Sequence, residues 1–165
     1  MQNIDWTKKS QEPGLTEDYI RENKDQVHWA YISSYQVLSE PFIREFRYKV
    51  NWSLISNHQK LSEAFILEFE DDLNWYYIMQ SQKLSEDFIK DNCVMIDWNY
   101  ASKYQTLSEC LIKDNQDLVH WSWISKYQKL SKDFIMEFLD ELDLDSILEY
   151  QILDPDTREY LKLLK

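Results

Sequence analysis

The residues here with the chemistry for acid–base, nucleophilic or metal work are three histidines, two cysteines and thirty acids. His28, His58 and His120 are far apart, and none belongs to a His-Glu-x-x-His motif or a Cys/His cluster. Cys93 and Cys110 show no metal-ligand spacing, and such usage fits a reduced, cytoplasmic protein. A single glycine leaves no room for a Gly-rich phosphate loop, and no nucleophile elbow occurs. The expectation is a non-enzyme with no catalytic residues, no metal and no cofactor.

What remains is a set of evenly spaced side chains suited to binding or packing. Glu22, Glu45, Glu68, Asp91, Asp114 and Glu137 recur every 23 residues. Exposed, they would form a negative strip able to dock a Lys/Arg-rich protein surface or imitate phosphates. Used locally, each would accept hydrogen bonds from free N–H groups at the start of the next helix. Trp6, Trp29, Trp52, Trp75, Trp98 and Trp121 keep the same step. A tryptophan ladder can stack on bases or sugars, but its place beside isoleucine at helical spacing assigns it to the core. Gln36, Gln59, Gln82, Gln105, Gln128 and Gln151 form a third column. Buried amides there would bond to backbone groups left unpaired between helices. The partner-binding candidates are the six acids together with Tyr76 and Asn99, which lie in columns that vary from repeat to repeat.

These columns demand elements that repeat without insertion. Ser39 can cap a helix whose first turn holds Pro41, and Leu38 with Ile43 makes a hydrophobic staple around that cap. Phe42, Ile43 and Phe46 then share one face of a helix of roughly eight residues by helical periodicity. Asn51, between Val50 and Ile55, starts a second helix that runs from Trp52 to about Gln59. Neither helix is stable alone in water, so stability must come from stacking. The fold expected is all-α: an α-solenoid of about six 23-residue helix–turn–helix repeats with a C-terminal helical cap. One repeat domain spans 1–165: a half repeat in 1–14, helical repeats in 15–139, and a degenerate repeat with its cap in 140–165. Glu17–Arg21, Glu40–Arg44, Glu86–Lys90 and Glu109–Lys113 are spaced for ion pairs along the first helix of each repeat. Asn23, Phe46, Phe69, Asn92, Asn115 and Phe138 alternate between a helix-ending amide and a buried ring.

The net charge of −12 opposes direct binding to nucleic acid or anionic membranes. No apolar run is long enough to span a bilayer, and residues 1–10 show no signal-peptide pattern. The Leu-Ser-Glu-Asp-Phe-Ile unit at Leu84–Ile89, followed by the Trp121–Lys129 pattern, resembles short helical repeats in proteins of giant viruses, phages and some bacteria. Leu111 for Phe, Ala101 for Ile and Leu144 for Trp depart from it. The resemblance implies a viral or phage-like interaction protein in the host cytosol. The function expected is a protein-binding scaffold whose acidic surface occupies, and inhibits, a basic or nucleic-acid-handling host protein. The alternative is a carbohydrate- or peptide-binding groove built on Tyr76, Tyr77, Tyr100 and Trp123.

Overall fold

Each helix starts where a short polar side chain can stand in for a missing turn. In the computed structural model, which describes residues 4–164, Thr16, Ser39, Ser62, Ser85, Ser108, Ser131 and Asp154 each accept a hydrogen bond from the N–H three residues on. Asp5, Asn51, Asn74, Asp97 and Asp143 cap the alternate series in the same way. His28 and His120 occupy that cap position without making the bond.

The described residues form fourteen helices and no strand. Those up to Gln82 are α1 (Trp6–Gln11), α2 (Glu17–Glu22), α3 (Trp29–Tyr35), α4 (Glu40–Glu45), α5 (Trp52–His58), α6 (Glu63–Glu68) and α7 (Trp75–Ser81). Beyond it come α8 (Glu86–Asp91), α9 (Trp98–Tyr104), α10 (Glu109–Asp114), α11 (Trp121–Tyr127), α12 (Lys132–Glu137), α13 (Leu144–Tyr150) and α14 (Pro155–Leu163). The even-numbered repeat helices hold six residues, shorter than expected, because the chain leaves the α-helix at Asn23, Phe46 and their equivalents and enters a turn. The last helix starts at Pro155, since Asp154 supplies its cap and Pro is tolerated in a first turn.

The chain divides into two compact units, Met1–Gln82 and Lys83–Lys165. In the first, α1 packs on α3, α3 on α5 and α5 on α7; in the second, α9 packs on α11, α11 on α13 and α13 on α14. This serial packing of 23-residue pairs is α-solenoid packing. The core repeats with it: Ile32, Ile55, Ile78, Ile124 and Ile147 on the odd-numbered helices are fully buried, as are Ile43, Ile66, Ile89, Ile112 and Ile135 on the even-numbered ones. Truncating one such isoleucine to alanine typically costs about 2–5 kcal/mol. Gly14, at φ +86°, lets the chain turn after Pro13 in a region of backbone space that side chains disfavour.

The glutamine column is the joint between repeats. Gln59 accepts from Leu38 N–H at 3.0 Å and donates to the carbonyls of Ser33 (2.9 Å) and Gln36 (2.8 Å). Gln128 does the same with Leu107 N–H (2.9 Å), Ser102 O (2.9 Å) and Gln105 O (2.8 Å). One side chain thereby satisfies three backbone groups that two consecutive turns leave open.

A serine column, not anticipated, completes the joint. Ser33 donates to Trp29 O at 2.8 Å and accepts from Asn51 N–H at 2.9 Å; Ser125 pairs with Trp121 O (2.8 Å) and Asp143 N–H (2.9 Å). Each of these fully buried hydroxyls ties the start of its own helix to the start of the next odd-numbered one.

Candidate interaction surface

The tryptophans are half-buried or buried, and they pack as core residues. Trp29 lies 4.9 Å from Phe46 and 6.3 Å from Phe42, Trp52 lies 4.9 Å from Phe69, and Trp121 lies 5.2 Å from Phe138, ring centre to ring centre. Their indole N–H groups close the preceding turn: Trp29 donates to Lys24 O at 2.9 Å and Trp52 to Arg47 O at 3.0 Å. In the alternating column the phenylalanines stack on these indoles, whereas Asn23, Asn92 and Asn115 bond back to carbonyls of their own helices at 2.8–2.9 Å.

The acid column ends each even-numbered helix rather than capping the next odd-numbered one. Asp5, Asn51, Asn74, Asp97 and Asp143 already cap α1, α5, α7, α9 and α13, and α3 and α11 start behind His28 and His120 without a side-chain cap. Glu45 instead pairs with Arg21 at 2.8 Å, Glu68 with Arg44 at 2.7 Å, and Glu137 with Lys113. Each cation belongs to the repeat before. These pairs are roughly half exposed. Asp114 sits 3.8 Å from the Cys110 thiol, and Glu22 and Asp91 are exposed with no ion pair among the described residues. The column is therefore divided between seam and surface.

The spaced pairs along the even helices are also divided. Arg21 and Arg44 lie 3.6 and 3.8 Å from Glu17 and Glu40, but Glu86 and Glu109 form no ion pair with Lys90 and Lys113. Those carboxylates accept instead from Ser108 N–H and Ser131 N–H of the next repeat, as Glu17 and Glu40 do from Ser39 and Ser62.

The opposite surface is built by the odd-numbered helices. In α1, α3, α5, α7, α9 and α11 there is no aspartate or glutamate, although the chain holds 30 acids. In α11 the buried positions are Ile124 and Ser125, leaving Ser122, Trp123, Lys126 and Tyr127 half-buried or exposed. In α3 the equivalent outward set is Ala30, Tyr31, Ser34 and Tyr35, with Tyr35 55% exposed. In α5 it is Ser53, Leu54, Asn57 and His58. Tyr76 is 38% exposed and its ring meets Tyr77 edge-on at 5.2 Å. Asn99 is exposed, with its N–H donating to the cap Asp97 at 2.9 Å. Tyr76 and Asn99 thus lie on the odd-helix faces of the first and second units respectively, and the six acids lie at the ends of the even helices.

The second unit adds lysines to this face. Lys103 sits 4.9 Å from the Trp123 ring centre and Lys126 sits 4.5 Å from that of Tyr150. Contact with the Tyr150 hydroxyl is the first cause holding Lys126 above the ordinary lysine pKa, with burial opposing it. Among the described residues no group of three or more His, Cys, Asp or Glu is placed to hold a metal, and no helix is long and apolar enough to cross a membrane. Aromatic rings, hydroxyls, amides and a few ammonium groups on rigid helices can grip a ligand. No family model matches this sequence, and neither does any curated protein or any solved structure.

Proposed function

We propose that the chain is a non-enzymatic scaffold that binds another protein through the outward faces of its odd-numbered helices. The observation that carries this is the absence of any acid from α1, α3, α5, α7, α9 and α11 in a chain of net charge −12. A solvated face needs charge for solubility; a contact face is short of charge and rich in tyrosine, tryptophan, serine and asparagine. Tyrosine and tryptophan give large contact area at small cost in side-chain entropy, and serine and asparagine adapt their hydrogen bonds. The columns that vary here (Ala30, Ser53, Tyr76, Asn99, Ser122) are released from stacking, so they are where specificity resides.

A second reading keeps the acids as the contact: a negative surface occupying the basic groove of a nucleic-acid-handling protein, the anti-defence role that the viral and phage resemblance suggests. It is supported by Glu22 and Asp91, which are exposed and, among the described residues, take no part in an ion pair. The test uses the protein as bait in its source cell, then measures affinity of the recovered partner for two variants. One carries Tyr31→Ser, Tyr35→Ser, Trp123→Ser and Tyr127→Ser; the other carries Glu22→Lys and Asp91→Lys. The first should weaken binding by roughly tenfold or more, as loss of interface anchors does, and the second only slightly. The reverse result would replace the first reading with the second.

A further inference from the structure

The odd-helix face is not uniform, and a concave stretch of it within the second unit has a chemistry of its own. The ends of α11 and α13 and the turns that follow them enclose a groove of about 320 Å³. Its walls include Lys126, Tyr127, Lys129, Leu130, Tyr150 and Ile152. No acid is among its lining residues, although Glu149 of α13 acts on the Lys126 charge; among the described residues Lys129 is exposed with no ion pair, and Ile152 is fully exposed. Lys126 lies 4.5 Å from the Tyr150 ring centre and 5.6 Å from that of Tyr127, so its ammonium is held in place rather than swinging free. Two ammonium groups beside exposed aliphatic surface, in so acidic a chain, match an incoming negative charge with an apolar neighbour.

We propose that this groove receives a carboxylate side chain flanked by apolar residues, supplied by an acidic peptide segment of the protein partner; the assignment rests on the odd-helix face being the binding surface. The carboxylate sits between Lys126 and Lys129, and its apolar neighbour covers Ile152 and Leu130. A polynucleotide fits less well. The Lys126 ammonium already lies over the Tyr150 ring on which a base would stack. A run of phosphates would also extend past two lysines towards Asp145 and Glu149 of α13, where like charge repels it. A single carboxylate brings one charge to the pair, and Glu149, which also acts on Lys126, repels it less than it repels a run of phosphates.

The probe is a capped six-residue peptide alternating leucine and glutamate, titrated into the full chain and followed by backbone amide resonances. Parallel titrations use the leucine–glutamine peptide and a six-nucleotide oligothymidine. The glutamate peptide should shift resonances at the ends of α11 and α13. Lys126→Glu with Lys129→Glu should weaken it by roughly tenfold, the size of one lost charge contact. Lys126→Met with Lys129→Met, which keeps the aliphatic stems, should weaken it less, and both variants should keep the parent's helical circular dichroism. The proposal is overturned by equal binding of the glutamine peptide, by binding indifferent to both double variants, by no shift at millimolar peptide, or by tighter binding of the oligothymidine. It also falls if the chain alone sediments as a dimer that charge reversal dissociates, since the acid would then come from a second copy. Should the peptide fail while the recovered partner still depends on Tyr35 and Trp123, the scaffold reading stands and only the carboxylate site is lost.

Discussion

The two units share one backbone plan and use their cations differently. In the first, Arg21 reaches Glu45 at 2.8 Å, and Arg44 grips Glu68 with Nε at 2.8 and 3.0 Å and a terminal nitrogen at 2.7 Å. The same guanidinium groups lie 5.0 and 4.8 Å from the ring centres of Phe42 and Phe65, stitching aromatic and acid together along the even-helix seam. In the second unit the equivalent cations are Lys90 and Lys113. Lys113 pairs with Glu137, but Lys90 forms no ion pair with Asp114. A guanidinium can hold a carboxylate with two parallel bonds while stacking flat on a ring; the Lys113 ammonium pairs with Glu137 as a point charge and stands farther from its ring, 5.8 Å from the Phe138 centre. The odd-helix faces differ too: α1 carries Lys8 and Lys9, α3, α5 and α7 carry no Lys or Arg, and α9 and α11 each carry a lysine beside aromatic rings. From α3 to α7 the first unit presents no positive charge on the face proposed to bind, whereas α9 and α11 of the second present it there.

If that division is right, the framework beneath it should be the same in both units. Gln59→Leu removes the partner of Leu38 N–H and the carbonyls of Ser33 and Gln36; Gln128→Leu does the same to Leu107, Ser102 and Gln105. Each should cost about 3 kcal/mol, since buried backbone groups lose their hydrogen bonds without regaining water. Urea denaturation of the two variants should give losses equal within experimental scatter. A loss confined to one unit's variant would show that the joints differ, and with them the premise of the comparison.

The next effect is smaller and runs the other way. His28 in the first unit and His120 in the second hold a cap position without capping, and His120 Nδ1 is buried without a hydrogen-bond partner. Replacing either by Asp should restore the bond made at Asp97 and Asp143, stabilising by roughly 0.5–1 kcal/mol. His120→Asp should gain the more, because it also removes the unpartnered nitrogen. Both substitutions also lose a ring contact, His28 on Tyr31 at 4.4 Å and His120 on Trp123 at 5.4 Å, so equal gains at both sites would mean that the orphaned atom costs little.

Much of this was legible in the sequence, because a fixed period turns one local inference into six. Caps, staples and the glutamine joint each follow from a residue type repeated where its chemistry has one evident use. The serine column escaped notice: Ser33 and Ser125 are unremarkable helix residues until the N–H 18 positions ahead is seen to need an acceptor. Of the two uses weighed for the acid column, the local one, accepting from the next helix start, gives way at Glu45, Glu68 and Glu137 to pairing across repeats. The cation stands 24 residues earlier, one repeat plus one position, and helix-start arguments look only within the repeat. The acid-free helices beginning at Trp6, Trp29, Trp52, Trp75, Trp98 and Trp121 were present in the sequence as well, but knowing which of their side chains face outward required the burial of Ile124, Ser125 and their equivalents.

The smallest predicted effect tests the seam itself. The hydrogen bonds from the Arg44 guanidinium are the first cause holding the Glu68 carboxyl below its ordinary pKa, with burial opposing them. A carboxyl whose pKa is depressed by folding contributes stability that is present above its unfolded value and is lost as pH falls through its folded value. In Arg44→Gln, the Glu68 titration followed by carboxyl carbon resonances should move up to the usual range, and the loss of stability on acidification should become shallower. Both groups are well exposed, so the change at neutral pH should be slight and should shrink further in high salt. Lys113→Gln in the second unit removes a point charge rather than a fork and should change neutral-pH stability less still. A larger effect from Lys113 than from Arg44 would mean that guanidinium geometry is not what sets the first unit's seam apart, and the contrast between the units would then rest on their odd-helix faces alone.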